Sequence, residues 1–186
     1  MNAVIAPPET KLITGEELLA MGDIGPCELI DGLIVPMAPS GGEHGFVESN
    51  LGGELASFVR QHQLGWVMSG EVGIYTCRNP DRVRGADVLF ISKERATERP
   101  AGFLKTAPDL VVEVISPTDR WQDIQQKIEE YFAIGVHSVW VVEPENRAVR
   151  VYRSTTELQK LDEGDTLIGE GALAGFALPV AKIFAE

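Results

Sequence analysis

No part of the sequence constrains the fold more than the stretch from Pro108 to Glu143, whose pattern predicts a strand, a helix and a second strand. Leu110 to Ile115 is apolar on both faces, which is typical of a strand buried in the middle of a sheet. Ser138 to Val142 has the same character. Two parallel strands joined by a crossover helix form a right-handed βαβ unit. The stretch therefore predicts an α/β fold in which ligands gather at strand ends.

The helix of this unit is expected to run from Thr118 to Ile134, with Thr118 or Asp119 capping its first turn. Gly135 suits the left-handed position that ends a helix. Three- and four-residue spacing predicts a buried face formed by Trp121, Ile124, Ile128, Tyr131 and Phe132. Lys127 falls on the flank of this face, where a long side chain can follow the helix edge back to the first strand.

Glu113 interrupts the first of these apolar strands. An ionised carboxylate in such a strand must be paired, metal-bound or protonated, because burying an isolated charge costs several kcal/mol. Pairing with Arg84 or Arg120 is one explanation, and metal binding is another. Glu113 is therefore the first residue whose position needs a chemical reason.

The remaining chain predicts further elements around this unit. Asp31-Gly32 between two short apolar runs indicates an N-terminal β-hairpin at a sheet edge, and a second hairpin is expected near the C-terminus, where Pro144 to Asn146 makes a turn. Residues 1–13 are expected to form a loose arm of a single domain spanning 1–186. A helix from Glu43 to His62 and three strands are also predicted: Gly65 to Met68, Val72 to Cys77, and Ala86 to Ile91.

Composition narrows the possible functions. The 186 residues carry a net charge of −12, which argues against broad, non-specific nucleic-acid binding, although Arg78 to Lys105 is locally positive. No apolar run approaches the roughly 20 residues of a membrane span, and no secretory signal is evident, so a cytoplasmic location is expected. Cys27 and Cys77 lack the spacing of a metal or redox pair and are predicted to be buried free thiols.

Asp87, directly before the apolar run 88–91, joins Glu113 and Lys127 as a possible functional set at one end of the sheet. Two carboxylates and an ammonium are the groups used in metal-assisted phosphodiester hydrolysis, in which Mg²⁺ or Mn²⁺ binds hard oxygen ligands. Each residue also has a structural alternative. Asp87 could cap a turn, and Lys127 could bridge to Asp123 one helical turn away.

Several segments in this order resemble the Uma-two family of endonucleases: CELIDGLIVPMAPS followed by His44, RGADVLFIS, PDLVVEVISPTDR, QQKIEEYFAIGVHSVWVVEP and RAVRVYR. The resemblance implies the restriction-endonuclease-like fold of the PD-(D/E)XK superfamily, a mixed β-sheet flanked by helices. It also implies a Mg²⁺ or Mn²⁺ cofactor, DNA as the substrate and a homodimer.

By the same resemblance, Asp87 and Glu113 bind metal together with the backbone carbonyl of Val114. The superfamily's usual lysine position is Ile115 here, and Lys127 on the following helix is the matching lysine. His44 and Glu28 are expected at the rim of the site.

The resulting hypothesis is a metal-dependent endonuclease. The alternative is a non-catalytic binding or assembly module that retains the nuclease fold. A carbohydrate hydrolase with the same acid pair would need a sugar-stacking aromatic platform, and no aromatic cluster lies near either acid in the sequence.

Overall fold

The computed structural model describes residues 11–117 and 119–186. It contains four α-helices: α1 (Gly15–Ala20), α2 (Gly42–Gln61), α3 (Trp121–Ala133) and α4 (Val180–Ile183). The strands before α3 are β1 (Cys27–Ile30), β2 (Leu33–Pro36), β3 (Gly65–Cys77), β4 (Arg82–Ser92) and β5 (Leu110–Val114). Those after it are β6 (Ser138–Glu143), β7 (Ala148–Tyr152), β8 (Leu158–Leu161), β9 (Thr166–Ile168) and β10 (Ala177–Pro179).

A mixed, mostly antiparallel sheet organises the fold, in the order β2-β1-β4-β5-β6-β7-β8, and β3 pairs with β4 as well. Strands β9 and β10 form a separate two-stranded sheet. Helix α2 contributes Val47, Leu51 and Leu55 to the core on one face, and α3 contributes Ile124 and Ile128 to the core on the other. The predicted fold class is confirmed, including the N-terminal hairpin β1–β2 and the hairpin β6–β7.

The predicted βαβ unit forms as expected, because β5 and β6 pair in parallel with Glu113 opposite Val141. Gly135 follows α3 with a φ of +96°, the left-handed conformation that glycine adopts without steric cost.

The start of α3 differs from the prediction. Arg120 is its N-cap and provides no side-chain cap; Asp119 instead accepts a hydrogen bond from the Ser116 N–H. Thr118 lies outside the described residues. Trp121 is 38% exposed rather than buried, and the Arg150 guanidinium lies 5.0 Å from its ring centroid.

The predicted strands at 65–68 and 72–77 form one long strand, β3. A bulge against β4 separates its two halves, and both Gly70 and Glu71 within it have positive φ. Strand β4 begins at Arg82, so Asp87 lies in the middle of a strand and not at its head. The sequence prediction missed this because Gly85 resembles a loop residue, although here it pairs with Gly73.

Strands β1 and β5 share one edge of β4, because β3 occupies the other edge along nearly its whole length. Strand β1 pairs there at Val83, and β5 pairs at 88–90. Between these contacts, β4 residues 84–87 have no strand partner on that edge. The sheet therefore opens at the position of Asp87.

At the N-terminus, a capping box between Thr14 and Glu17 begins α1. Residues 1–10 of the predicted arm lie outside the described part of the chain, and Ile13 is held by a hydrogen bond from its N–H to the Gly32 carbonyl.

Both cysteines are free thiols, but Cys77 is exposed and Cys27 only partly buried, so the prediction of buried thiols is wrong for Cys77. No helix among residues 11–117 and 119–186 has the length and apolar character that crossing a bilayer requires.

Candidate active site

The opening in the sheet is filled by charged side chains that satisfy its free backbone groups. The Gly85 N–H donates to Glu28 Oε1 at 3.0 Å, and the Gly85 carbonyl accepts from Lys127 Nζ at 3.1 Å. On the facing strand, the Val114 N–H donates to Asp87 Oδ2 at 2.6 Å. A buried backbone group without a partner is costly, so the separation of β4 from β5 gives these side chains defined positions.

Glu113 is 3% exposed and lies on the α3 side of β5. Its Oε2 accepts a hydrogen bond from Lys127 Nζ at 2.8 Å, and its Oε1 accepts one from the Tyr131 hydroxyl at 2.7 Å. Burial raises the pKa of Glu113 to about 7, although Lys127 opposes the rise. Within the described part of the chain no arginine pairs with Glu113, so the alternative of an Arg84 or Arg120 partner is wrong.

Lys127 projects from α3 into the same opening, as its position on the flank of the helix predicted. Besides Glu113 and the Gly85 carbonyl, its Nζ lies 3.3 Å from Glu28 Oε1. Burial favours the neutral amine, but the charges of Glu113 and Glu28 outweigh burial and raise the pKa of Lys127. Lys127 therefore stays an ammonium at neutral pH. Lys127 forms ion pairs with Glu28 and Glu113 but not with Asp123, so the alternative of a bridge along the helix is wrong.

Glu28 does not lie at the rim of the site, where it was expected. It is 6% exposed, and both of its carboxylate oxygens have partners. Oε2 accepts a hydrogen bond from Arg84 Nη1 at 2.8 Å. Oε1 accepts one from the Gly85 N–H and forms the ion pair with Lys127. Arg84 in turn donates to Glu130 through Nε and Nη2. Glu28 thus holds the lysine and arginine in place rather than offering a free ligand.

Asp87 and His44 meet from β4 and α2. Asp87 is 7% exposed, and its Oδ2 lies 3.4 Å from His44 Nε2. Asp87 therefore contacts a distant element and does not only cap a turn, which was the structural alternative. His44 is 8% exposed, so it is buried beside the acid and not placed at the rim. The contact with the Asp87 carboxylate raises the pKa of His44 despite the opposing effect of burial.

Glu48, Glu71 and Tyr131 belong to this neighbourhood, and sequence reasoning missed all three. Glu48 lies one turn after His44, with Oε2 3.9 Å from His44 Nδ1; the i, i+4 spacing of the two residues was the available signal. Glu71 is brought to the site by the bulge in β3. Tyr131 has the spacing of a core residue, and nothing in the sequence distinguishes its hydroxyl from that of any buried tyrosine.

An open cleft of about 550 Å³ connects these groups and is lined by Glu28, His44, Glu71, Arg84, Asp87, Glu113, Val114 and Lys127, among others. Six carboxyl groups in this lining face three permanent cations, those of Arg84, Arg120 and Lys127. Burial and the Asp87 charge raise the pKa values of Glu71 and Glu48. The cleft therefore carries an excess of acidic groups that a divalent cation would offset, and their oxygens are the hard ligands that Mg²⁺ and Mn²⁺ prefer.

The locally positive segment from Arg78 to Lys105 does not form a free basic patch. Arg78 and Lys105 pair with Glu16, and Arg95 pairs with Asp109. Arg82 and Arg84 pair with Glu130. These cations are largely neutralised by acids of the same chain.

A mixed sheet flanked by helices, with paired acids and a lysine in a cleft where the sheet opens, is the architecture of nuclease-like α/β proteins. The chain superposes on the crystal structure of a "putative nuclease belonging to DUF820" from Anabaena variabilis with a TM-score of 0.77 and 22% sequence identity. The match covers 92% of this chain and 97% of the other. At this identity the likeness establishes the fold.

The family model of Uma2, described as "Putative restriction endonuclease", matches residues 16–181. The chain therefore belongs to the Uma2 family, as the sequence resemblance implied. Among proteins of curated function, none matches the chain.

Proposed function

We propose that this protein is a metal-dependent endonuclease that hydrolyses phosphodiester bonds in DNA. The observation that carries the proposal is the convergence of Asp87, Glu113 and Lys127 from β4, β5 and α3 on one open cleft, where no arginine among residues 11–117 and 119–186 pairs with either acid. Membership of a family described as "Putative restriction endonuclease" supports DNA as the substrate.

Mg²⁺ or Mn²⁺ is the proposed cofactor. Asp87 and Glu113 would hold the ion with the Val114 carbonyl. Asp87 uses only Oδ2 for the Val114 N–H, and Glu113 would bind through the second lone pair of an oxygen that already accepts from Lys127 or Tyr131. A bound ion of this kind lowers the pKa of a coordinated water and offsets negative charge on the phosphate. The excess of carboxyl groups over cations in the cleft is consistent with this assignment.

Lys127 supplies a fixed positive charge in this proposal. Its raised pKa rules out a role as general base at neutral pH. Its N–H groups are directed to Glu113, Glu28 and the Gly85 carbonyl, so the ammonium stabilises ionised Glu113 and the negative charge that develops on the phosphate. Contact with a phosphate oxygen would require one of these three partners to be exchanged.

Tyr131 and Glu28 position the reacting groups without touching the substrate. The Tyr131 hydroxyl fixes Glu113 Oε1, which restricts the orientation in which the carboxylate meets an ion. Glu28 fixes Lys127 and Gly85 together. Positioning of this kind matters because small displacements of catalytic groups lower rates steeply.

We further propose a single domain that acts as a cytoplasmic homodimer. The homodimer is supported by the edge strand β2, on which Leu33, Ile34 and Val35 are 41%, 37% and 42% exposed. Unpaired edge strands with apolar residues are common sites of association. Sedimentation analysis of the wild-type chain and of Ile34→Lys tests this, because the substitution should shift a dimer to monomer.

The function is tested by assaying duplex, single-stranded and branched DNA with Mg²⁺ and Mn²⁺, beside Mn²⁺ titrations of the same preparations. Asp87→Asn and Glu113→Gln should each lower cleavage by at least about 100-fold and weaken Mn²⁺ binding. Glu54→Gln, an exposed change on α2, is the matched control and should leave both unchanged. Mn²⁺ binding without cleavage of any substrate, or cleavage retained in both variants, would instead favour the non-catalytic module.

A further inference from the structure

Two adjacent residues at the start of α3, Arg120 and Trp121, have exposed side chains that the proposed mechanism does not use. Arg120 lines the cleft, and its guanidinium makes no ion pair or hydrogen bond among residues 11–117 and 119–186. The other two permanent cations of the lining are paired, Arg84 with Glu28 and Lys127 with Glu113. Arg120 is therefore the cation of the cleft that can take a phosphate without giving up a partner.

Trp121 lies above the part of the sheet that carries Glu113. The Arg150 guanidinium lies over its ring, 5.0 Å from the centroid. Arg150 pairs with Val141, which pairs with Glu113 on the next strand, so all three point to the same face of the sheet. Two strand spacings, about 10 Å, separate Arg150 from Glu113. This is the length of roughly three stacked nucleotides, so a strand bound at the acids can reach the ring.

The support beneath the ring is fixed in place. Glu143 is 7% exposed and accepts hydrogen bonds from Arg150 Nε and from Asn146 Nδ2 at 2.7 Å. Arg150 is thereby held under one face of Trp121, an arrangement that is favourable between a cation and an aromatic ring. The indole is 38% exposed, although its position on the helix predicted burial. An exposed ring on a fixed support can stack with an unpaired base.

The depth and lining of the cleft favour an unpaired strand over a duplex. Asp87 and Glu113 are 7% and 3% exposed, so a phosphate must enter the cleft to reach them. The lining also includes the apolar side chains of Ile30, Met37 and Pro39. A duplex keeps its base faces stacked inside and holds its backbone on a rigid rod, whereas an unpaired nucleotide can enter a pocket and offer its base to apolar groups.

The charge of the protein points the same way. Duplex binding draws its affinity from Lys and Arg side chains that neutralise many phosphates, but the net charge here is −12. The cations of the segment 78–105 that lie nearest to acids are already paired with them. Single-strand binding relies more on base stacking, for which Trp121 is available.

We propose that the DNA strand is unpaired where it enters the cleft, as in single-stranded or flap DNA, with a phosphate held by Arg120 and a nearby base stacked on Trp121. The inference rests on the proposed function and narrows its substrate class. Neither residue contacts the bond that breaks, so the two set affinity and selectivity for unpaired DNA.

Fluorescence anisotropy tests the selectivity with the whole protein and one labelled oligonucleotide sequence, offered as a single strand and as a blunt duplex. Ca²⁺ replaces Mg²⁺ as the hard cation for the acidic cleft. The wild type should bind the single strand at least about 10-fold more tightly. Trp121→Ala should weaken single-strand binding by roughly 5- to 150-fold, the range for one stacked base, and leave duplex binding unchanged. Equal wild-type affinity for the two forms would overturn the proposal.

Salt dependence tests the phosphate contact of Arg120. Removing one contact to a single strand should reduce the slope of log K against log salt by about 0.7. Arg120→Gln should show this reduction, Arg120→Lys should restore the wild-type slope, and Trp121→Ala should not change it. Arg99→Gln, an exposed cation outside the cleft lining, is the control and should keep the wild-type slope. An unchanged slope in Arg120→Gln would overturn the phosphate contact.

Tryptophan fluorescence separates stacking from a packing role of Trp121. A single strand should quench the wild-type fluorescence. Trp121→Phe should keep most of the affinity but lose the quenching, because Trp140 is buried and Trp66 partly buried. This variant keeps the test valid if Trp121→Ala does not fold. Leu158→Ala, an exposed apolar change on the far edge strand β8, is the matched control for affinity.

A packing role has a different outcome. If Trp121 serves only to cover Arg150, Trp121→Ala should lower the melting temperature and leave single-strand affinity at the wild-type value, which would overturn the stacking contact. Quenching that persists in Trp121→Phe would overturn it as well.

The failure of this inference is distinguishable from failure of the proposed function. Cleavage of duplex as fast as of single strand, unaffected by Arg120→Gln and Trp121→Ala, would overturn the inference and leave the nuclease proposal intact. Selective single-strand binding that depends on both residues, without cleavage of any DNA in Mg²⁺ or Mn²⁺, would support the binding mode and overturn the catalytic proposal.

Discussion

Asp87 accepts a hydrogen bond from the backbone N–H of Val114 across the point where β4 and β5 separate. Continuing the register of Val88 opposite Val112 by two residues would place Val114 opposite Ala86. The Asp87 side chain therefore provides an acceptor at the place where the β4 backbone no longer pairs. The residue that organises the opening in the sheet is also the residue proposed to bind metal.

Asp87→Ala should accordingly be less stable than Asp87→Asn. The alanine variant leaves the buried Val114 N–H without an acceptor, which costs about 1–3 kcal/mol, whereas the asparagine carbonyl can still accept it. Urea unfolding measures the difference, and amide exchange at Val114 should be faster in Asp87→Ala only. Equal stability of the two variants in the absence of metal would show that the hydrogen bond is unimportant.

Lys127→Met should destabilise the protein in the absence of metal by about 3–5 kcal/mol, because it leaves Glu113 and Glu28 buried without their shared cation. An added divalent ion can replace part of that charge. Mn²⁺ should therefore raise the melting temperature of Lys127→Met more than that of the wild type, while cleavage stays low.

Thermal melts with chelator and with Mn²⁺ measure both effects. The exposed Lys160→Met serves as the control and should behave like the wild type. A smaller Mn²⁺ effect in Lys127→Met than in the wild type would contradict a shared role for the ammonium and the ion.

The sequence predicted those parts of the site that depend on one element at a time. Glu113 was identified because a charge in a buried strand needs a partner, and Lys127 because of its angular position on α3. The bonding of Glu28 and Asp87 was beyond prediction, because it depends on β1 and β5 sharing one edge of β4 with a gap between them. Glu71 was missed for a related reason. The sequence pattern predicts two strands with a loop between them, whereas residues 70 and 71 adopt positive φ and form a bulge within the single strand β3.

Tyr131 should stabilise the fold through Glu113 and not only by packing. Tyr131→Phe removes the donor to Glu113 Oε1 at almost constant volume, with an expected cost of about 1–3 kcal/mol. A double-mutant cycle with Glu113→Gln should give a coupling energy of at least about 0.5 kcal/mol.

Tyr152→Phe is the matched control for this cycle. Tyr152 is also a buried tyrosine, and its hydroxyl donates no hydrogen bond within the described residues. Its change should cost less and show no coupling to Glu113. Additive effects of Tyr131→Phe and Glu113→Gln would contradict the role assigned to the hydroxyl.

Glu130 gives the protein a pH-dependent contribution to stability. Burial raises the pKa of Glu130, but the hydrogen bonds and charges of Arg84 and Arg82 outweigh burial, so its pKa lies below the ordinary value of 4.5. An acid with a lowered pKa in the folded state stabilises above its unfolded-state pKa, and the contribution disappears as the pH falls through the folded-state value. The free energy of unfolding should therefore be lower in Glu130→Gln than in the wild type at pH 7, and the two should converge below pH 4.5. Exposed Glu129→Gln on the same helix should match the wild type throughout, and a difference for Glu130→Gln that persisted unchanged into acid would assign its effect to packing instead of charge.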